Sequence, residues 1–275
     1  MKPVNFAYAR PIDVEASLSL LAEDGRSVKV IAGSQSLGPM LNLRLVQPDL
    51  LVDITGIEEL RHVKEEVDGV VIGACVTHSD IEDGRAPDVT GGALPSVAQG
   101  IAYRAVRNRG TIGGSLAHAD PAADWISILA ALGATVTLRG PHGLRTISVE
   151  EYMLGALEAD LRPGELLVSV KVSRLSRSAR WGYHKICRKT GEFAQAIGAF
   201  VVDPERGVCR AVIGATGSRP IVIADARCIV ANGPSGRFDS HAADKLASSA
   251  GIDDPLERQT HVAALRRAVE WATGR

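Results

Sequence analysis

The chain lacks several features that would assign it to a class at once. Its four cysteines lie far apart and form no C-x-x-C pair, which excludes an iron-sulfur or zinc site built on the usual spacings. We interpret them as reduced, mostly packed thiols. No stretch approaches about 18 uninterrupted apolar residues, and MKPVNFAYARP at the N-terminus has no long apolar segment. These absences predict a cytoplasmic protein without a membrane span.

An excess of charge of one sign is also missing. Lysine and arginine number 31 against 32 aspartates and glutamates, so no large field would attract nucleic acid or a membrane surface. Any anionic ligand must therefore be held by local groups. With 275 residues, 45% of them hydrophobic, the chain can bury a substantial core and form two domains. Its one compositional bias is glycine: 28 of its 275 residues are glycine, a fraction above the average of about 7%.

The order of the predicted elements indicates an α+β fold. An apolar stripe over residues 12–24 predicts a helix that Gly25 ends, and the short strand VKVIAG follows. LLVDITG, GVVIGACV and ATVTLRG are further predicted strands, while helices are predicted over residues 94–107 and 125–132. Because no regular βαβ repeat emerges, the pattern favours α+β over a doubly wound sheet.

A domain boundary is predicted within SRLSRSAR, residues 173–180, which is short, polar and basic. The alternating segment ELLVSVKVS before it closes a first domain over residues 1–174. Beyond it come three strands, of which AIGAFVVD and VCRAVIGAT form a hairpin across PERG. Two helices near residues 241–250 and 255–273 complete a smaller α+β domain over residues 175–275.

Two glycine-rich loops could bind an anion: IAGSQSL, residues 31–37, and RGTIGGSLAHAD, residues 109–120. A phosphate needs converging N–H donors, and a nearby β-carbon would keep it away. Glycines 33, 113 and 114 lack that obstacle, and hydroxyls of serine or threonine accompany them in both loops. The alternative is that the glycines only form turns. Neither loop matches the G-x-G-x-x-G or G-x-x-x-x-G-K-[ST] motif, so a dinucleotide would need another fold.

The acidic end of the second loop has several interpretations. His118, Asp120 and Asp124 are of ligand or proton-carrying types, but Pro121 breaks the segment, and we predict no metal site. A triad that includes Ser115 is disfavoured because triad members normally come from distant segments. Asp124 either caps the helix that follows it or accepts a ribose hydroxyl or adenine amino group.

Basic residues near these loops are equally open. Arg107 and Arg109 are either surface charges at a helix C-terminus or a brace in which one of them binds loop carbonyls. Lys185 is either a solvated strand lysine or a ligand contact, the latter only if the two domains close over it.

Five segments carry a resemblance to a known family. They are AGSQSLGPMLNLRL (32–45), GACVTHSDIE (73–82), RNRGTIGGSLAHADPAADW (107–125), GYHKICRKTGEFA (182–194) and GATGSRP (214–220). Together they closely resemble the flavoprotein, or medium, subunit of the molybdenum hydroxylases, the family of carbon monoxide dehydrogenase and xanthine dehydrogenase. The resemblance implies noncovalently bound FAD in a vanillyl-alcohol-oxidase-type (PCMH) fold of two α+β subdomains, about 1–55 and 56–174, before a C-terminal flavoprotein domain.

The resemblance also implies which residues bind FAD. Two loops would hold the pyrophosphate, Asp124 would lie at the adenosine half, Leu167 would pack by the isoalloxazine, Lys185 would approach the flavin, and Ile101 and Ala102 would pass near the cofactor. The pyrophosphate loops comprise Ile31, Ala32, Gly33, Ser34, Gln35, Ser36 and Leu37, and Thr111, Ile112, Gly113, Gly114 and Ser115.

Three positions depart from the family pattern. The first loop commonly reads A-G-G-Q-S-L-L-P, whereas here Ser34 replaces the second glycine and Gly38 replaces a leucine. If Ser34 must adopt a positive φ, it carries strain that glycine would not. His184 stands where an acid or amide is frequent.

The implied function is electron relay. In such enzymes a molybdenum cofactor on a large subunit hydroxylates the substrate, and 2Fe-2S clusters on a small subunit pass electrons to FAD, which serves an external acceptor. The resemblance implies both of these partner subunits, assembled as a dimer of heterotrimers. The chain has no ligands for either metal centre, and no side chain need act as general acid or base because the flavin supplies the chemistry.

Two alternatives stay open at this point. A self-sufficient FAD-dependent oxidoreductase of the same fold would need a proton donor and a substrate pocket in the second domain, for which Lys185 is a poor candidate. A non-enzymatic assembly subunit would use the glycine loops as turns only.

Overall fold

The computed structural model describes residues 2–22, 25–230 and 237–274. The last two residues of the helix predicted over 12–24 lie outside this part. A small parallel sheet comes first, with its third strand in the middle. Its strands and flanking helices are β1 (Ala7–Ala9), α1 (Val14–Leu21), β2 (Val28–Ile31), α2 (Leu37–Asn42) and β3 (Leu50–Asp53). Because β2 ends at Ile31, it leads directly into the first glycine loop.

The second sheet is antiparallel. Its strands, from one edge to the other, are β4 (Val63–Glu65), β5 (Gly69–Gly73), β10 (Leu166–Ser173), β6 (Thr135–Gly140) and β7 (Gly143–Ser148). Between them the chain forms α3 (His78–Glu82), α4 (Ala93–Gly100), α5 (Arg104–Arg107), α6 (Ile112–His118), α7 (Asp124–Ala131), α8 (Val149–Tyr152) and the hairpin β8 (Met153–Gly155) and β9 (Glu158–Ala159).

The third sheet has four antiparallel strands in chain order, followed by two helices. They are β11 (Arg180–Ile186), β12 (Ala196–Asp203), β13 (Val208–Gly214), β14 (Ile221–Ile223), α9 (Ser240–Ser249) and α10 (Pro255–Thr273). Every residue of β12 is buried because α10 covers one side and α7 the other. Gly198 permits this close approach, since a β-carbon there would stand 2.5 Å from backbone atoms of Ala264.

All eight residues of α7 are buried, and this helix joins the second and third sheets. The largest core cluster contains Trp125 and Leu129 of α7, Val136 of the second sheet, and Ala199 and Val212 of the third. The sheets thus separate near residue 174, but their apolar cores are continuous.

Several elements follow the sequence predictions closely. The hairpin of β12 and β13 and both C-terminal helices are confirmed. The single helix predicted over 94–107 is wrong, because the chain breaks into α4 and α5, with Ala102 at φ 43°. The break exposes the carbonyls of Ile101 and Ala102, and the Arg107 guanidinium donates hydrogen bonds to them at 3.0 and 3.1 Å. Strand β7 was not predicted, because polar and apolar residues alternate along only part of it.

No helix in the described ranges is long and apolar enough to cross a bilayer.

Candidate functional site

A cavity of about 420 Å³ lies where the glycine loops, the start of α7 and a loop after β11 meet. It brings together most of the residues that the sequence singles out for FAD. They are Ala32, Gly33, Ser34, Gln35, Ser36, Leu37, Ile101, Ala102, Thr111, Gly113, Gly114, Ser115, Asp124 and Leu167.

Three predicted residues do not line this cavity. Ile31 is the last residue of β2, and Ile112 is fully buried in the core. Lys185 lies directly behind the cavity wall, where its Nζ contacts the Asp124 carboxylate at 2.9 Å. These three residues therefore lie next to lining residues and do not form part of the cavity surface.

The first loop supplies unused backbone donors. Within the described part of the chain, the N–H groups of residues 34–37 donate to no other protein group. The Ser36 hydroxyl is equally unengaged, since it makes no capping bond to α2. Ser34 has a φ of 62°, which confirms the positive φ considered from the sequence. An anion in the cavity would meet four successive N–H groups here.

The glycines of both loops are required by close packing, not by an unusual φ. A β-carbon on Gly33 would stand 2.0 Å from the Arg109 carbonyl oxygen, so the two loops touch backbone to backbone. At Gly113 a β-carbon would meet Ala74 at 2.5 Å. The sequence argument that these glycines leave room for an anion is therefore corrected: their hydrogens face neighbouring backbone.

The second loop offers hydroxyls more than N–H groups. The Gly113 N–H donates to the Ala74 carbonyl at 2.9 Å, and the Gly114 N–H donates to the Thr111 hydroxyl at 3.0 Å. The Ser115 hydroxyl makes no hydrogen bond with any described residue. The anion-binding capacity of this loop therefore rests on the Thr111 and Ser115 hydroxyls and the Thr111 N–H.

Asp124 is the centre of a buried polar cluster that links the cavity to the third sheet. Its carboxylate accepts a hydrogen bond from the Tyr183 hydroxyl at 2.7 Å, and Lys185 Nζ also donates to the Gly100 carbonyl at 3.0 Å. Burial raises the pKa of the Asp124 carboxyl above its usual range, although the Lys185 charge opposes this. Burial raises the pKa of the Tyr183 hydroxyl as well.

The structure tests one of the two roles considered for Asp124, the capping of α7. The residue before α7 is Ala123, and no side chain caps this helix. The capping role is therefore wrong, because the carboxylate faces β11 instead.

Arg107 supports a second stretch of the cavity wall. Its guanidinium forms an ion pair with Glu82 at 2.7 Å and donates to the Ile101 and Ala102 carbonyls. The brace of the glycine loop considered from the sequence is wrong for Arg107, because its guanidinium binds carbonyls of the loop before α5 instead. Gly191 packs onto the same stretch, since a β-carbon there would stand 2.8 Å from the Ala102 oxygen.

Two important lining residues escaped the sequence analysis. Phe193, 73% exposed, stands at the cavity on the loop between β11 and β12. His78 lines the cavity beside Gly110 and receives a hydrogen bond from the Trp125 indole at 3.0 Å. A signal for His78 existed, because Thr77 and Asp80 form a capping box that places it at the start of α3.

The lining suits a ligand with flat apolar rings and an anionic centre. Leu37, Met40, Val46, Leu167 and Phe193 give apolar walls, while the two glycine loops give neutral donors. No arginine of the described residues lines the cavity. In the described ranges no three His, Cys, Asp or Glu side chains group as a metal site would require. A more open hollow of about 830 Å³ beside Trp181 and Trp271 contains none of the predicted residues.

Known proteins resemble this chain in sequence and in structure. The family model of the FAD-binding domain in molybdopterin dehydrogenase matches residues 4–174. The chain is 36% identical over 257 residues to the 6-hydroxypseudooxynicotine dehydrogenase complex subunit alpha of Paenarthrobacter nicotinovorans, covering 92% of this chain and 86% of that one. It is 33% identical over 291 residues to the carbon monoxide dehydrogenase medium chain of Afipia carboxidovorans, covering 100% and 99%.

Among solved structures, reconstituted CO dehydrogenase from Oligotropha carboxidovorans matches with a TM-score of 0.91 and 29% identity over the whole of both chains. Quinoline 2-oxidoreductase from Pseudomonas putida 86 matches with a TM-score of 0.84 and 31% identity, covering 100% of this chain and 99% of that one. The chain therefore belongs to the family of FAD-binding medium subunits of the molybdenum hydroxylases.

Proposed function

We propose that this chain is the FAD-binding subunit of a heteromeric molybdenum hydroxylase or dehydrogenase and that FAD occupies the cavity described above. One observation carries the assignment of the site: the cavity gathers residues from both glycine loops, the start of α7 and β10 around unused N–H and hydroxyl donors. When bound, FAD supplies the redox chemistry, taking electrons from the iron-sulfur clusters of a partner and giving them to an external acceptor.

The residues of this chain bind and orient that cofactor. The N–H groups of residues 34–37, with the hydroxyls of Ser36, Thr111 and Ser115, hold the diphosphate. The Asp124 carboxylate lies at the adenosine half, where Lys185 and Tyr183 fix its position. Leu167 and Phe193 flank the apolar rings and limit access of water.

The finer architecture belongs to the same proposal. We assign residues 1–174 to a PCMH-type FAD-binding domain with subdomains of about 1–55 and 56–174, and residues 175–275 to a C-terminal flavoprotein domain. The three-stranded and five-stranded sheets support the two subdomains, and the four-stranded sheet with α9 and α10 supports the third unit.

Partners follow from the same family. A large molybdopterin-binding subunit and a small iron-sulfur subunit would complete the enzyme as a dimer of heterotrimers in the cytoplasm. We assign the two other redox centres to such partners, and the described residues of this chain group no ligands for a metal ion.

Purification of the full chain tests the cofactor assignment. We expect the purified protein to show a flavin absorbance band at about 450 nm. Acid precipitation should release the FAD, and with it this band, from the protein into the supernatant. The test variant is Ser36→Ala/Ser115→Ala, because both hydroxyls line the cavity without a protein partner and neither caps a helix. Loss of two charge-assisted hydrogen bonds should raise the FAD Kd at least about 10-fold.

Ser248→Ala, on exposed α9, is the matched control and should leave the Kd unchanged. Gly113→Val is a poor test, because its side chain would collide with Ala74 and disturb the fold itself. A folded wild-type chain that takes up no FAD, alone or with its partner subunits, would refute the assignment.

A further inference from the structure

His78 is a buried residue of the cavity wall whose ring is incompletely hydrogen-bonded among the described residues. It is 5% exposed, and its backbone N–H donates to the Gly110 carbonyl at 2.9 Å, which ties it to the second glycine loop. Its ring also lies against that loop, since a β-carbon on Gly110 would stand 2.7 Å from Nε2. Gly110 has no positive φ, so the nearby ring is what requires glycine there.

The Trp125 indole fixes the proton on this ring. An indole N–H can only donate, so Nδ1 of His78, 3.0 Å away, must be the acceptor and carry no hydrogen. Burial, with a smaller effect from the Arg107 charge, lowers the pKa of His78 to about 4 and keeps the ring neutral. A neutral ring with a bare Nδ1 must carry its hydrogen on Nε2.

That Nε2–H group has no acceptor among the described residues. It is not sealed in the core either, because His78 contributes to the cavity surface. A buried donor without an acceptor is costly, so one is expected from whatever fills the cavity. The neighbouring groups are Gly110 and Thr111, at the start of the loop that carries the free hydroxyls.

We infer that His78 is an additional ligand of the cofactor: its Nε2–H donates a hydrogen bond to the FAD diphosphate, and Trp125 is the positioning residue that holds the ring in the required tautomer. This inference rests on the proposed function. It adds one neutral donor to the groups proposed to bind the diphosphate. This donor comes from α3, which lies outside both glycine loops.

The decisive variant is His78→Phe, which keeps a ring of similar size and removes the donor. FAD and ADP binding are measured on the full chain, ADP being a probe that has the diphosphate but no flavin. We expect both Kd values to rise about 10- to 100-fold, the range for a charge-assisted hydrogen bond. His78→Gln, whose amide can donate in place of Nε2, should recover most of the loss.

The matched control is His142→Phe, at an exposed histidine in the turn between β6 and β7, which should change neither Kd. A second measurement is independent of any variant. In the ¹⁵N-labelled wild-type chain, long-range ¹H–¹⁵N spectra should show His78 as the Nε2–H tautomer, and addition of ADP should shift this proton downfield. Trp125→Phe should mix the two tautomers and weaken ADP binding.

Unchanged Kd values in folded His78→Phe overturn the inference, as does a loss confined to FAD with ADP binding intact. If His78→Phe does not fold, an Nε2 proton that ignores ADP, or an Nδ1–H tautomer, overturns it. These results leave the proposed function standing. A wild-type chain that binds no FAD would remove both.

Discussion

Ser34 has a left-handed backbone conformation that glycine tolerates better than serine. Its hydroxyl also occupies the space beside Gly38, since a β-carbon on residue 38 would stand 2.7 Å from Ser34 Oγ. The two departures from the common A-G-G-Q-S-L-L-P pattern are therefore neighbours in space. A small residue at 38 accommodates the serine at 34.

Replacement of Ser34 by glycine should stabilise the protein. The left-handed conformation costs a non-glycine residue about 1–2 kcal/mol, and the greater freedom of glycine in the unfolded chain offsets part of this. We expect Ser34→Gly to raise the free energy of unfolding by about 0.5 kcal/mol, measured by urea denaturation. Ser36→Gly, at a residue with φ of −107°, should instead lower it. A loss of stability in Ser34→Gly would show that the hydroxyl contributes more than the strain costs.

Substitution of Asp124 should affect both the stability of the fold and the binding of FAD. In Asp124→Asn the Lys185 ammonium would stay buried without a counter-charge, which typically costs about 3–5 kcal/mol. We expect a loss of unfolding free energy near the lower bound, together with weaker FAD binding. Asp124→Asn/Lys185→Met should recover part of the stability but not the FAD affinity. Equal stability of the single variant and the wild type would contradict a buried ion pair here.

Among the elements, α7 shows most clearly what close packing demands. Its Ser127 hydroxyl is buried and makes no hydrogen bond, and a β-carbon on Gly214 of β13 would stand 1.9 Å from it. The helix and the strand approach too closely here for a larger side chain at either position. The buried hydroxyl carries a desolvation cost that nothing in the described chain offsets.

Ser127→Ala should therefore raise the free energy of unfolding by about 1 kcal/mol, because it removes the unsatisfied hydroxyl and improves helix propensity. Ser96→Ala, on the exposed side of α4, is the control for propensity alone and should give the smaller gain of about 0.5 kcal/mol. Chemical denaturation of both variants measures the difference. Identical gains would mean that Ser127 has a partner, such as an ordered water.

Sequence reasoning succeeded where local patterns decide an element. The apolar runs of β12 and β13 and the apolar spacing of α10 gave their positions to within a few residues. It failed where a distant partner decides. Nothing local shows that Arg107 would bind the Ile101 and Ala102 carbonyls and divide a helix, or that Asp124 would pair with a lysine about sixty residues later.

The same distinction applies to the site. The glycine loops could be predicted from the sequence because glycines indicate close backbone approach and serines and threonines supply hydroxyl donors. Why the glycines are there was not readable, since Gly33 and Gly113 face backbone from Arg109 and Ala74. His78 was missed because its role depends on the Trp125 indole, which only the folded chain brings near.

At the scale of the whole molecule, buried histidines predict sensitivity to mild acid. Burial lowers the pKa of His78, His184 and His261. The unfolded chain therefore binds more protons than the folded one below about pH 6.5, so stability is lost as the pH falls through that region. The raised pKa of Asp124 acts in the opposite direction.

A comparison of the wild type with a His78 variant isolates the contribution of His78 to this pH dependence of stability. With a folded pKa of about 4, this residue contributes at most about 3 kcal/mol, lost progressively between pH 6.5 and 4. Urea denaturation of wild type and His78→Gln at pH 7.5 and 5.0 should show a smaller loss in the variant, by about 2 kcal/mol. Parallel curves would indicate that the folded protein protonates His78 as readily as the unfolded one does.

The core shared by the second and third sheets predicts that these two sheets unfold as one unit. Residues from α7 and from the second and third sheets share one buried cluster, and the Asp124–Lys185 ion pair spans the boundary near residue 174. Exposure of the fully buried α7 would be required to separate them, which opposes stepwise unfolding. We expect urea transitions followed by tryptophan fluorescence and by far-ultraviolet circular dichroism to coincide. Trp125 lies in the buried α7 and Trp271 is exposed near the end of α10, and separated midpoints would reveal two independently folding units.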